Sequence, residues 1–247
     1  MTDKIILKKE EGRLNITFNN PDKKNALTSD MYSLASNEIN KAESDLSVSV
    51  IILSGSGGNF SSGNDLFDFI NDPYNPSVIN FLESISSSSL PIAAAVNGVA
   101  VGIGATMLLH CDFVYSSPDT YFSFPFIDLG LVPEAAASLL LPKLVGHKKA
   151  SELLMLGKPF YSEEALEMGF ISKICPEKDL LDEVNNLANL LTTKPRESLC
   201  LTKKLLCTEE ESVTDRMARE HQKFRDLLGT KNTQNIINAI LNKKKNK

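Results

Sequence analysis

The sequence has no tryptophan, and its 247 residues include only three histidines and four cysteines. The histidines (His110, His147, His221) lie far apart, and no two cysteines among Cys111, Cys175, Cys200 and Cys207 form a C-x-x-C pair. A structural zinc site, which needs closely spaced ligands of these types, is therefore not expected, and no metal is assigned. Four cysteines in a chain of this length read as reduced core residues and not as a disulfide framework. Excess positive charge is also lacking: 26 basic residues face 31 acidic ones, a net charge of −5. Nucleic acids and anionic membranes attract a basic face, so neither is expected as a partner. That balance leaves room for a small anionic ligand held by a few local cations. No long hydrophobic run occurs. The most apolar stretch, Leu90 to Leu109, is broken by Pro91, Asn97 and three glycines, whereas a membrane span needs about 20 predominantly apolar residues. Residues 1–30 carry charges throughout and offer no signal-peptide apolar region. The final Lys245-Asn246-Lys247 is not a peroxisomal Ser-Lys-Leu signal. The expected location is cytoplasmic.

What is present is a core-forming chain with 42% hydrophobic and 23% charged residues, enough for one α/β domain or two small ones. Ile5 to Leu7 and Leu14 to Phe18 flank Glu10-Glu11-Gly12-Arg13, a hairpin pattern. Thr28 precedes Met31, Leu34, Ala35, Ile39 and Ala42 at helical spacing and can cap that helix. Val48 to Leu53, Ile92 to Val96 and Phe113 to Tyr115 read as buried strands. Alternation of this kind predicts parallel strands joined by crossover helices. From Ser162 onward the pattern is mostly helical: Glu163 to Met168, Asp179 to Leu191, Pro195 to Leu228 and Thr233 to Leu241, with Ile171 to Ile174 as the exception. The serines at 84 and 86–89 form a polar patch, and the four lysines among the last five residues read as a solvated end.

Two glycine-rich turns follow buried strands: Phe60-Ser61-Ser62-Gly63-Asn64-Asp65-Leu66, and Asn97-Gly98-Val99-Ala100-Val101-Gly102-Ile103-Gly104-Ala105. Glycines there let backbone N–H groups approach a ligand. Generic motifs do not fit. Gly102-Ile103-Gly104 lacks the third glycine of a dinucleotide fingerprint, and neither turn carries Gly-Lys-Ser/Thr. No Gly-x-Ser-x-Gly elbow is present. Taken singly, either turn reads as an ordinary loop.

Taken in order, several motifs resemble the crotonase (enoyl-CoA hydratase/isomerase) superfamily. They are Pro21-x-x-Lys24-Asn25-Ala26-Leu27, Phe60 to Leu66, Asn97-Gly98-x-Ala100-x-Gly102-x-Gly104 and Cys111-Asp112. Leu129-Gly130-Leu131-Val132-Pro133-Glu134, Gly157-Lys158, Glu164-Ala165-x-x-x-Gly169-Phe170-Ile171 and Lys203-x-Leu205-Leu206 continue the match. The resemblance runs from Gly12 to near Leu206. It implies an α/β, ClpP/crotonase-like fold, with a spiral core of ββα repeats over residues 1–195. Residues 196–247 would form a helical C-terminal arm for trimerisation and active-site cover. It further implies a homotrimer or dimer of trimers, an acyl-CoA thioester substrate, no separate cofactor because coenzyme A belongs to the substrate, and a place in fatty-acid β-oxidation.

The resemblance also distributes roles. Two backbone N–H groups, by position those of Asn64 and Ile103, would form an oxyanion hole around the thioester carbonyl, with Gly102 between the donors' segments. Preorganised donors of this kind stabilise an enolate, and loss of one raises the barrier by about 3–4 kcal/mol. Gly104 would open a helix whose dipole reinforces the hole. The two glutamate positions of the family's hydratases fall on Thr106 and Phe126, and neither residue can act as a base. A third position, after Pro133, holds Glu134, in a pattern similar to Δ3,Δ2-enoyl-CoA isomerases of the peroxisomal type, where one glutamate performs a 1,3-proton shift. Apolar neighbours Phe126, Ile127 and Leu131 are expected to raise its pKa. From the residues alone, Pro133-Glu134 before three alanines is also a good helix start. The family commonly has glycine where Ala135 stands. Lys23 or Lys24 would meet coenzyme A phosphates or serve as ordinary surface lysines. Backbone groups of Ala26, Ser62 and Leu66 would contact adenine and pantetheine. Asp65 would brace its turn beside the hole, and Phe126 would line the acyl pocket. An enoyl-CoA hydratase and a non-catalytic acyl-CoA-binding protein are the alternatives.

Overall fold

The structure, a computed structural model, describes residues 3–72, 75–207, 212–228 and 230–237. The chain divides into two compact units, Met1–Lys194 and Pro195–Lys247.

In the first unit, β1 (Ile5–Glu10) and β2 (Arg13–Phe18) pair antiparallel across Glu11-Gly12, both in the left-handed region at φ 47° and 80°. After it, α1 (Ser29–Ser44) buries Met31, Tyr32, Ala35, Ile39 and Ala42. Thr28 stands at its N-cap as expected, but its side chain makes no capping bond. Asp68 instead accepts from the Ser29 N–H at 2.6 Å. Next come β3 (Val50–Gly55), α2 (Leu66–Asn71), α3 (Ser77–Ser87), β4 (Ile92–Val96), β5 (Val99–Val101) and α4 (Ile103–Thr106). A 3-10 turn at Met107–His110 extends α4, and β6 (Phe113–Ser116), β7 (Tyr121–Ser123), α5 (Ala137–Val145) and α6 (His147–Met155) follow. The unit closes with β8 (Phe160–Tyr161), α7 (Ser162–Glu167), β9 (Lys173–Ile174) and α8 (Glu177–Thr192).

The strands form a six-stranded sheet in the order β1-β2-β3-β4-β6-β9 and a three-stranded sheet in the order β5-β7-β8. From β2 to β9 the large sheet is parallel. The chain passes repeatedly from the large sheet to the small one, from β4 to β5 and from β6 to β7, which is the ββα spiral. Every residue of β4 is buried and only Gly55 of β3 is not, as central strands covered on both faces require. One face is covered by α8, which packs on β3, β4 and β6, while α1 packs on α3. Phe122, Phe124, Phe160 and Phe170 cluster at the small sheet with centroids 5.3–5.9 Å apart.

The serine patch at 84–89 is partly helical. Phe81, Leu82 and Ile85 drive the packing of α3, and Ser84 and Ser87 donate back to Asn80 O and Glu83 O. In the second unit the expected Pro195–Leu228 helix is resolved as α9 (Arg196–Leu206) and α10 (Val213–Leu228). Residues 231–237 are helical, and the terminal lysines lie outside the described residues.

Candidate active site

The two glycine-rich turns lie against each other. Ser61 and Ala100 form a parallel bridge, with Ser61 N donating to Val99 O at 2.9 Å and Val101 N to Ser61 O at 3.0 Å. A Cβ on Gly104 would stand 2.6 Å from Ser61 O, and one on Gly63 2.8 Å from Val101 O. No side chain fits at either contact, which is why glycine occupies both. The first turn is also pinned from the side of Pro21 to Leu27. Asn25 is fully buried, donates to Ser56 O and Asn59 O, and accepts from Asn20 N and, through its carbonyl, from Ser61 Oγ. Phe60 sets its ring edge-on to Phe18 at 5.5 Å.

These contacts position the two expected donors. Asn64 bridges Leu27 through the groups on either side of it: Leu27 N donates to Gly63 O at 2.8 Å and Asp65 N to Leu27 O at 2.9 Å. The Asn64 N–H itself is turned away from that bridge. Ile103 is the first residue of α4, where an N–H has no intrahelical acceptor. Gly102, at φ 56° and ψ −123°, supplies the bend that aims this N–H. Tyr32, reaching over from α1, donates its hydroxyl to Asn64 Oδ1 at 2.6 Å.

A cavity of about 240 Å³ opens beside Asn64. Its apolar wall is Leu27, Val78, Ile79 and Leu82, and its polar wall includes Tyr32, Asp65, Asp68, Asp72 and Glu134. Burial pushes the Glu134 carboxyl up to about 6, against the opposing hydrogen bond that Thr106 Oγ1 donates to Oε1. Glu134 Oε2 is buried and has no hydrogen-bond partner among the described residues. The other acids differ. Lys23 pairs with Asp65 at 2.5 Å, and together with the N–H groups of Phe67 and Asp68 it holds the Asp65 carboxyl below its ordinary value. Asp68 accepts from Ser29 N, and Asp72 accepts from Asn75 Nδ2 at 2.8 Å. Burial, with Glu134 and Asp68 nearby, keeps the Tyr32 hydroxyl protonated well above pH 10.

Comparison with known proteins addresses the family and the fold. Residues 8–247 match the family model described as enoyl-CoA hydratase/isomerase. The chain belongs to that family. It is 35% identical to enoyl-CoA delta isomerase 2 of Rattus norvegicus over 84% of its own length and 55% of the relative's. Enoyl-CoA delta isomerase 3, peroxisomal, of Mus musculus is 35% identical over 73% of this chain and 59% of the relative. The chain thus spans little more than half the length of these curated relatives. A solved structure described as a putative enoyl-CoA hydratase/carnithine racemase from Magnetospirillum magneticum AMB-1 superposes with a TM-score of 0.95 at 38% identity, covering 98% of this chain and 97% of that one. The crotonase fold expected from the motifs is therefore the fold of this chain. Relatives named as hydratases match too, among them 2,3-dehydroadipyl-CoA hydratase of Escherichia coli at 28% identity over 97% of this chain and 96% of the relative. Among the described residues no helix is long and apolar enough to cross a membrane, and no group of three or more His, Cys, Asp or Glu side chains is arranged to hold a metal ion.

The remaining family-derived positions fall as follows. Lys24 is exposed and left-handed, and its carbonyl accepts from Ser62 N at 2.9 Å. The Ala26 N–H donates to Lys23 O at 3.0 Å, so neither the Ala26 nor the Ser62 N–H is open to a ligand. Leu66 is exposed at the start of α2. Phe126 is buried and is not among the residues lining the cavity, Ile127 and Leu131 are exposed, and the apolar residues that share the cavity with Glu134 are Leu27 and those of α3. Glu134 does not start a helix. Ala135 and Ala136 are both left-handed, at φ 52° and 54°, and α5 begins only at Ala137. The family's usual glycine after the glutamate suits this backbone better than alanine does. Tyr32 and the α3 wall were not legible as site residues. Tyr32 stands beside the apolar stripe of its helix with nothing in the sequence to mark it, and α3 lies in a segment with several serines.

Proposed function

We propose that this chain shifts the double bond of a 3-enoyl-CoA to the trans-2 position, with Glu134 as the only proton carrier. The observation that carries this reading is the carboxylate with a pKa near 6 and one free buried oxygen, on a cavity whose other acids are paired or capped. Glu134 takes a proton from C2. The C–H electron pair moves into a C1–C2 double bond and the thioester oxygen becomes an oxyanion, which the N–H groups of Asn64 and Ile103 stabilise. The resulting dienolate accepts the same proton at C4, C2–C3 becomes the double bond, and the thioester carbonyl is restored. Atoms balance without water or a co-reactant. A pKa near the working pH lets one group remove and return the proton efficiently.

Hydration is the second reading, favoured by the hydratases among the relatives. Adding water calls for a second carboxylate to activate it, and Thr106 and Phe126 stand at the positions where the family's hydratases carry theirs. Parallel assays decide between the two chemistries. With 3-hexenoyl-CoA and crotonyl-CoA offered to the same preparation, the double-bond shift should exceed hydration by about 100-fold or more, the contribution of one positioned acid–base group. Comparable rates would favour the hydratase.

A further inference from the structure

We propose that Thr106 is a positioning residue that holds Oε1 of Glu134, so that Oε2 alone carries the proton between C2 and C4. This rests on the isomerase reading above. Thr106 is fully buried on α4, the helix that also presents the Ile103 N–H. Its N–H bonds Gly102 O at 2.9 Å, which fixes the residue on the turn of the oxyanion hole. Its hydroxyl donates to Glu134 Oε1, while Oε2 is buried and unpartnered among the described residues. The two carboxylate oxygens are therefore inequivalent before any substrate arrives. The oxygen already accepting a hydrogen bond is the weaker base, and the free one is the stronger. The backbone beside Glu134 is anchored by the Ala137 N–H on the Glu134 carbonyl and by His110 at the Ala135 carbonyl, while the side-chain bond recorded on the carboxylate itself is that of Thr106. One hydroxyl thereby ties the acid and the oxyanion donor to a single short helix. A carrier fixed relative to the hole can reach both carbons of one bound dienolate without changing its own rotamer.

The titratable and charged groups around Glu134 are few. Tyr32 stays protonated, and Asp65 with Lys23, Asp68 and Asp72 line the same cavity. His110 Nε2 lies 2.9 Å from the Ala135 carbonyl.

The test compares Thr106→Val with Thr106→Ser. Valine keeps the shape and removes the donor; serine keeps the donor and removes the methyl. For isomerisation of 3-hexenoyl-CoA, Thr106→Val should lower kcat roughly tenfold at pH 7 with KM changed less than about twofold, the pattern of a lost transition-state interaction. Loss of the donor removes the one influence that lowers the Glu134 pKa, so the acid limb of the pH profile should move upward, by about half a pH unit or more. Thr106→Ser should restore both quantities to within about threefold of the unsubstituted protein. His110 is unchanged in both variants, so their difference isolates the hydroxyl. An unchanged kcat and acid limb in Thr106→Val would overturn the proposal, as would a Thr106→Ser protein impaired as much as the valine variant. If Thr106→Val does not fold, Thr106→Ser alone decides: it must keep kcat and acid limb. An inert Glu134→Gln protein beside a fully active Thr106→Val protein removes this inference alone, whereas an active Glu134→Gln protein removes the isomerase reading itself.

Discussion

The turns carrying Asn64 and Ile103 are gripped from several sides, while the segment carrying Glu134 is gripped from few. In the turns, Gly63 and Gly104 sit in contacts too close for a side chain, the Ser61–Ala100 bridge ties one turn to the other, and buried Asn25 braces them from outside. Around Glu134, Val132 is 81% exposed, two alanines take left-handed backbone, and the carboxylate rests on one hydroxyl. The proposed chemistry accounts for the contrast. An oxyanion hole acts by preorganisation and gains from rigidity. A proton carrier gains from an environment that tunes its pKa, and burial provides that here without a charged partner.

The contrast can be broken at its rigid end first. Gly104→Ala places a methyl 2.6 Å from Ser61 O and forces the two turns apart. The Ile103 donor then moves, and kcat for 3-hexenoyl-CoA should fall by roughly 100-fold or more, the cost of one lost donor. Thr106 lies two residues further along the same short helix, so its bond to Glu134 should loosen as well and the acid limb of the pH profile should move upward. An unchanged kcat would mean that the paired turns do not hold the reacting carbonyl.

The smaller effect lies at the other end. Ala135→Gly relieves a left-handed alanine at φ 52°. Stability in urea should rise by up to about 1 kcal/mol, the relief of strain set against the greater freedom of glycine in the unfolded chain. Activity should change little, because Glu134 is held through Thr106 and not through Ala135. A large loss of kcat would show that the strained backbone itself aims the acid.

The same contrast explains what the sequence disclosed. Strands of Val, Ile, Leu and Ala marked the central sheet, since burial on both faces demands unbroken apolar runs. The glycines marked the two turns because close backbone approach excludes other residues. The small sheet was illegible: β5, β7 and β8 are three, three and two residues long, too short for a period to emerge. Helix α3 was hidden by its serines, whose low propensity is overridden by the packing of Phe81, Leu82 and Ile85. Glu134 is marked by its motif, but the apolar wall it shares a cavity with belongs to a helix about fifty residues earlier in the chain, and local sequence carries no trace of that neighbour. In the sequence Thr106 stands out only as a hydratase glutamate position without a base, because its hydroxyl acts across 28 positions.

The central claim is that one buried carboxylate, Glu134, does the proton transfer, and the direct measurement is turnover of 3-hexenoyl-CoA by the Glu134→Gln protein. If Glu134 carries the proton, kcat should fall by roughly 1,000-fold or more, with binding of the CoA thioester retained. Fold stability supplies the control. Because the folded pKa of Glu134 is raised from 4.5 to about 6, its ionisation costs stability as pH rises through that interval. Glutamine carries no such cost, so at pH 8 the variant should be as stable as the parent or more so, by up to about 2 kcal/mol. Turnover within tenfold of the parent, in a folded variant that binds the thioester, would mean that another group moves the proton.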